Sequence, residues 1–122
     1  MTRCYPLIPF GSEQNTQETS HSVNACAFRQ AGILTIQFQI NDPQHEINWP
    51  KKKNLEQCDY LWESTCFEAF ISTPNHNEYF ELNLSPSLAW NLYHFTDYRT
   101  PKDMPPIRVL KHALIKFEIE DH

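Results

Sequence analysis

Within the run 33–40, residues 34–40 alternate strictly between apolar and polar side chains, and this pattern constrains the fold more than any other feature of the chain. The apolar positions are Leu34, Ile36, Phe38 and Ile40. Threonine and glutamine occupy the positions between them. Because successive side chains of a strand point to opposite faces, this segment is predicted to be a half-buried β-strand.

Other short runs have the composition of strands, and they span residues 23–28, 66–71, 79–84, 89–95 and 113–119. Polar or proline-containing segments separate the runs, notably the loop predicted at 11–22 and the irregular connection predicted at 41–57. No segment has the length and period of a convincing helix. Many short strands with frequent turn signals predict an all-β fold, an antiparallel β-sandwich, as a single domain over residues 1–122.

The net charge of the chain is −5, which argues against two classes of partner. Nucleic acid binding depends on neutralising phosphates, and anionic membrane surfaces attract basic segments. The one dense basic run, Lys51, Lys52 and Lys53, is predicted to be a solvated loop. We therefore expect neither nucleic acid nor membrane as a partner. The first residues lack the apolar core of a secretory signal, which favours the cytoplasm.

The chain has 4 cysteines, and none of them forms a Cys-x-x-Cys pair. Their spacing fits neither a zinc site nor a redox motif. Cys26 and Cys66 lie within strand-like runs, so we expect them to be buried free thiols. The sequence leaves a disulfide open.

Two predicted strands can be paired by the cost of burying charge. Glu68 lies in the run 66–71, and Glu81 and Asn83 lie in the run 79–84. An unpaired buried carboxylate is costly, so the apolar faces of the two strands are expected to share the core. This register places Glu68 opposite Asn83, with Glu68 and Glu81 on a diagonal about 7–8 Å apart. The same reasoning, extended to the next strand, places Trp90 beside Asn83.

Residues 60–99 resemble the DOMON-like proteins, which are similar in fold to family 9 carbohydrate-binding modules. The matching positions are Trp62, Glu63, Cys66, Glu68, Phe70, Tyr79, Glu81, Asn83, Ser85, Pro86, Trp90, Tyr93, Phe95, Tyr98 and Arg99. The resemblance implies a β-sandwich related to sugar-binding and haem-binding modules. We expect this chain to bind a small polar ligand, with carbohydrate as the leading class. By this resemblance, Trp62 and Trp90 would stack on the ligand.

The remaining candidate ligand-binding residues are Glu68, Tyr79, Glu81, Asn83 and Arg99. Carboxylates, amides and guanidinium groups can hydrogen-bond to hydroxyl groups, and aromatic rings among them are typical of small-molecule sites. No nucleophile stands beside a base that could activate it. The sequence therefore predicts a binding module that is not an enzyme and needs no cofactor.

Four alternatives are weaker. Haem-binding relatives use Met and His as axial ligands, but Met104 and His94 lie in no recognisable motif. Glycoside hydrolysis would need a cleft that raises the pKa of one carboxylic acid. The 6 histidines show no spacing typical of a metal site. Exposed sheet edges could instead bind another protein by strand addition.

The chain ends soon after its last strand-like run, whereas proteins that resemble it continue for several more strands. A sandwich that lacks its C-terminal strands would expose open edges and apolar surface. We therefore expect a second copy of the chain to cover this surface in a homodimer. The acidic residues Glu118, Glu120 and Asp121 would oppose symmetric pairing at that edge.

Overall fold

A computed structural model describes residues 2–9 and 21–109. The predicted strand at 113–119 and most of the predicted loop at 11–22 lie outside these residues. The chain divides into two compact units, Met1–Asn48 and Trp49–His122. The described residues contain strands, turns and one short 3-10 helix, and no α-helix. The all-β prediction is confirmed for this part of the chain.

The first unit holds a three-stranded antiparallel sheet in the order β1-β2-β3. Its strands are β1 (Arg3–Pro6), β2 (Ser22–Gln30) and β3 (Ile33–Asn41). β2 and β3 contain the strands predicted at 23–28 and 33–40. They are joined by Ala31 and Gly32, whose φ angles of 52° and 79° form the type of tight turn that matches the twist of a hairpin.

A disulfide joins β1 to β2 in the first unit, which corrects the prediction that Cys26 is a free thiol. Cys26 is buried as expected, but its sulfur is bonded to that of Cys4. The antiparallel register puts the two residues directly opposite each other, with Cα atoms 4.0 Å apart. The sequence did not reveal this pairing because the run around Cys4 carries no clear strand pattern. Cys66 is free, as predicted, although it is only half-buried.

The second unit holds a four-stranded sheet in the order β4-β7-β6-β5. Its strands are β4 (Glu56–Gln57), β5 (Phe67–Ser72), β6 (Tyr79–Leu84) and β7 (Ala89–Phe95). β5, β6 and β7 are antiparallel neighbours and match the runs predicted at 66–71, 79–84 and 89–95. β4 pairs in parallel with β7 and lies inside the predicted irregular connection. The lysine run in that connection is exposed, as expected.

Residues 107–109, near the end of the described chain, pair with β7 along the same edge that β4 uses. Arg108 bridges to Tyr93 in an antiparallel arrangement. The amide of His94 donates to the Ile107 carbonyl at 2.9 Å, and the amide of Val109 donates to the Leu92 carbonyl at 2.8 Å. β7 is therefore hydrogen-bonded on both sides, which places it in the interior of its sheet.

Candidate functional site

One face of the four-stranded sheet carries the predicted polar residues, and we call it the Asn83 face. Its side chains are Glu68 and Phe70 on β5, Tyr79, Glu81 and Asn83 on β6, and Asn91, Tyr93 and Phe95 on β7. The predicted register is confirmed, because Glu68 pairs with Asn83 and Phe70 pairs with Glu81. Glu68 and Glu81 are therefore diagonal neighbours, and the apolar residues of β5 and β6 point to the other face.

The Asn83 face is more deeply buried than its polarity predicts. Asn83, Asn91 and Tyr93 are 0% exposed. The apolar residues of β5 and β6 on the opposite face are all half-buried. The deepest burial on β6 and β7 is therefore found on the polar face, at Asn83, Asn91 and Tyr93, and not among the apolar residues expected to share the core. Polar side chains can be buried at low cost when their hydrogen bonds are satisfied, and the partners of Asn91 and Tyr93 meet that condition.

Asp59 is the acceptor around which these hydrogen bonds are arranged. Its Oδ1 accepts bonds from Asn91 Nδ2 at 3.0 Å, Tyr93 Oη at 3.0 Å and Arg108 Nε at 3.2 Å. Arg108 Nη2 donates to the second carboxylate oxygen at 2.6 Å. The hydrogen bond from Arg108 is the main reason that the pKa of Asp59 lies below its ordinary value. Burial and the bond to Asp59 raise the pKa of Tyr93, so its hydroxyl stays protonated and donates.

The amide of Asn91 is fully used within the same cluster. Its nitrogen also donates to the Cys58 carbonyl at 2.8 Å and to Tyr93 Oη at 3.1 Å. Its oxygen accepts bonds from Gln57 Nε2 and from the Leu92 amide, both at 2.9 Å. These contacts tie β4 and the segment after it to β7, and Asp59 joins Arg108 to the same cluster. The cluster therefore holds the Asn83 face in a fixed arrangement.

Asn83 differs sharply from its cross-strand neighbour Asn91. The two residues are paired on β6 and β7 and are equally buried. Yet, within the described part of the chain, neither Nδ2 nor Oδ1 of Asn83 has a hydrogen-bond partner. Leaving a buried polar group unpaired costs about 1–3 kcal/mol. An amide at this position is therefore unfavourable in the protein by itself, and such exceptions call for a functional explanation.

Two carboxylates of graded exposure adjoin this amide. Glu68 is exposed, and Glu81 is half-buried. Burial raises the pKa of Glu81, and the charge of Glu68 raises it further. Solvent exposure falls from the Glu68 side chain to that of Glu81 and is lowest at Asn83. The exposed carboxylate is therefore the cross-strand neighbour of the buried amide.

Aromatic rings border these polar groups. The 3-10 helix, Leu61–Glu63, carries Trp62, whose ring meets the edge of the Tyr93 ring with centroids 6.1 Å apart. Tyr60 precedes the helix in the left-handed conformation, with φ 61°, and packs against Trp62 at 5.2 Å. Since Tyr93 pairs with Glu81 across the strands, Trp62 lies on the Asn83 face. Trp62 contacts Tyr93, the cross-strand neighbour of Glu81, and its grouping with the carboxylates in one site stays a prediction.

Trp90 lies on the opposite face, which overturns the prediction that it sits beside Asn83. It pairs with Leu84 and is 4% exposed. The loop between β6 and β7 sets this register, because Leu88 has φ 77° and the Ser85 amide donates to the Ala89 carbonyl at 2.8 Å. Trp62 and Trp90 therefore cannot clamp one ligand between them. Replacing Trp90 by alanine would open a core cavity and would not remove a contact from the Asn83 face.

Tyr79 and Arg99 form the far end of the Asn83 face. The Tyr79 ring stacks on Phe95 with centroids 4.9 Å apart, and its hydroxyl accepts a bond from the Arg99 amide at 3.0 Å. The Arg99 guanidinium lies 5.3 Å from the centre of the Tyr98 ring. Arg99 is thus connected to the Asn83 face through its backbone amide, and its side chain contacts the adjacent residue Tyr98.

The two residues considered for haem, His94 and Met104, have the following surroundings. His94 lies on the face opposite Asn83, where its Nε2 contacts Glu78 Oε2 at 2.9 Å. Met104 is 67% exposed. Among the described residues, no group of three or more His, Cys, Asp or Glu side chains is placed to hold a metal ion.

Sequence reasoning missed Asp59, Asn91 and Arg108. Asp59 and Arg108 lie far apart in the chain, and only the fold brings them together. Asn91 had a usable signal, because a polar residue within an apolar strand must find partners if it is buried. Choosing Asn91 instead of Trp90 as the neighbour of Asn83 would have given the observed register.

The described residues include no helix long and apolar enough to cross a membrane. Comparisons with protein-family models, with curated proteins and with solved structures found no match to this chain.

Proposed function

We propose that this protein is a non-catalytic binding module for a small polar ligand, with carbohydrates and related polyols as the leading class. The observation that carries the proposal is the buried, unpartnered amide of Asn83 beside Glu68 and Glu81. A bound hydroxyl group can accept a hydrogen bond from Nδ2 and donate one to Oδ1, which would remove the cost of burying the amide.

The aromatic border supports the same proposal. Tyr79 lies two residues before Glu81 on the same face, and Trp62 contacts Tyr93, the cross-strand neighbour of Glu81. Sites for small molecules typically combine aromatic rings with a few polar groups that fix orientation. We therefore assign Trp62, Glu68, Tyr79, Glu81 and Asn83 to the site, and leave out Trp90. Arg99 belongs to it only through its backbone bond to Tyr79.

A screen of neutral sugars by ligand-observed NMR tests the proposal. Binding should be lost in Trp62→Ala and Glu81→Gln. Two control variants match these changes: Trp49→Ala, because Trp49 stacks on Phe67 on the opposite face, and Glu78→Gln, because Glu78 contacts His94 on that face. Both controls should bind normally. If Trp49→Ala loses sugar binding as fully as Trp62→Ala, or Glu78→Gln as fully as Glu81→Gln, the Asn83 face is not the binding site.

Glycoside hydrolysis is the second candidate, and the raised pKa of Glu81 favours it. A general acid needs such a shift, and burial is a usual cause. The partner Glu68 is exposed, so its carboxylate is not held in a desolvated cleft. Release of nitrophenol from nitrophenyl glycosides by the wild type, and its loss in Glu81→Gln, would replace the binding proposal with this one.

The resemblance to DOMON-like proteins, the β-sandwich arrangement and the homodimer remain predictions. The cytoplasm also remains a prediction, and the bond between Cys4 and Cys26 weighs against it. Disulfides form and persist mainly in oxidising compartments.

A further inference from the structure

The charges on the Asn83 face restrict the kind of ligand it can hold. Glu68 and Glu81 are diagonal neighbours on paired strands, and they repel each other. A neutral polyol can hydrogen-bond to both carboxylates but leaves this repulsion in place. A ligand with a positive charge between them would remove it and would form charge-assisted hydrogen bonds, which are roughly twice as strong as neutral ones.

The two unpaired atoms of the Asn83 amide favour an organic cation over a metal ion as the source of this positive charge. A cation such as Ca²⁺ takes oxygen ligands, so it would use Oδ1 and leave Nδ2 unpaired. Both atoms of Asn83 lack partners in the described part of the chain. A ligand with a hydroxyl group next to its cationic group satisfies both atoms at once.

Two half-buried aromatic rings, those of Trp62 and Tyr79, border the polar residues, whereas Tyr93 is fully buried and only supports Trp62. Tyr93 pairs with Glu81 across the strands, and Trp62 meets Tyr93 edge to face. Tyr79 is on the same strand as Glu81, two residues earlier, and so shares its face. Cations are attracted to the faces of such rings, most strongly to tryptophan.

We propose that the ligand of this face is an amino sugar, with a protonated primary amine between Glu68 and Glu81 and an adjacent hydroxyl group on the amide of Asn83. This inference rests on the proposed function, since it names the class of ligand for the same site.

Isothermal titration calorimetry near neutral pH tests the inference with three sugars of one framework: glucosamine, glucose and N-acetylglucosamine. Glucosamine should bind at least about tenfold more tightly than the two neutral sugars, because only it brings a charge to the carboxylates. Glu68→Gln should reduce this preference by about fivefold or more. Glu68 is exposed, so this variant should fold. Glu78→Gln should leave the preference unchanged.

Each alternative outcome has a distinct meaning. Equal binding of glucose and glucosamine would overturn the amine assignment and leave the proposed polyol module in place. Calcium chloride that binds and displaces glucosamine would also overturn it, in favour of a metal site. Failure of all three sugars to bind would overturn the inference and would count against the carbohydrate class in the proposed function.

Discussion

Replacing Asn83 by leucine should stabilise the ligand-free protein and abolish ligand binding. Asn83 is 0% exposed, and its amide has no partner within the described residues. Leucine has the same branched arrangement of side-chain heavy atoms, is somewhat bulkier, and has no polar atoms. The substitution therefore removes an unsatisfied amide without removing any hydrogen bond from the structure.

The magnitude follows from the cost of the unpaired amide. An unsatisfied buried polar group costs about 1–3 kcal/mol, and replacing it with an apolar group of the same shape recovers that cost. Local repacking around the branched leucine side chain opposes the gain, typically by less than about 1.5 kcal/mol for swaps that conserve volume. The two ranges together span a loss of about 0.5 to a gain of about 3 kcal/mol, so the free energy of unfolding should rise by about 1 kcal/mol, the middle of that span.

The neighbouring residue provides a matched control. Asn91 has the same side chain, the same burial and a position directly opposite Asn83. Its amide, however, contacts Gln57, Cys58 and Asp59. Asn91→Leu would leave several of these groups unpaired, so it should lower the free energy of unfolding by about 3 kcal/mol or more. The two variants should thus change stability in opposite directions.

Urea unfolding measures both effects. The Asn83→Leu midpoint should rise with an unchanged slope, which identifies a change in stability and not in the amount of surface exposed. Calorimetry on the same samples should show that sugar binding is lost. If Asn83→Leu instead destabilises the protein as much as Asn91→Leu does, the Asn83 amide is satisfied in the folded protein. The reasoning that assigns a ligand to this face would then fail.

Other properties of the chain can be tested by titration and chemical modification. Asp59 has a lowered pKa, so its contribution to stability is present above its ordinary pKa of 3.8 and is lost as the pH falls through and below that value. In Asp59→Asn, the free energy of unfolding should therefore fall less steeply with decreasing pH in this acid range than it does in the wild type. Glu81 has a raised pKa, so stability should fall as the pH rises above the ordinary value of 4.5, and Glu81→Gln should be more stable than the wild type at neutral pH. Breaking the bond between Cys4 and Cys26 with a reductant should lower the free energy of unfolding by about 2–4 kcal/mol, measured by urea titration with and without reductant. Burial raises the pKa of Cys66 to about 11, so iodoacetamide should label this thiol slowly at neutral pH, as mass spectrometry would show, and quickly once the protein is unfolded.

The sequence alone determined the strands β5, β6 and β7 of the second unit, but not β4, and it determined the register of β5 against β6. Both follow from local patterns, because alternation identifies a strand and the cost of an unpaired charge selects the face of Glu68 and Glu81. The same reasoning failed for β7, because both faces of that strand are mixed in polarity. There the loop geometry at Leu88 set the register and turned Trp90 to the other face.

Only the tertiary structure decided which polar residues are satisfied and which are left without partners. Asp59, Asn91 and Arg108 form their hydrogen bonds across large separations in the chain, and no local pattern marks such a meeting. The pairing of Cys4 with Cys26 depends in the same way on the register of β1. Asn83 and Asn91 are indistinguishable as residue types within apolar strands. Within residues 2–9 and 21–109, the fold supplies hydrogen-bond partners to the Asn91 amide and none to the Asn83 amide, which is the one beside the two carboxylates.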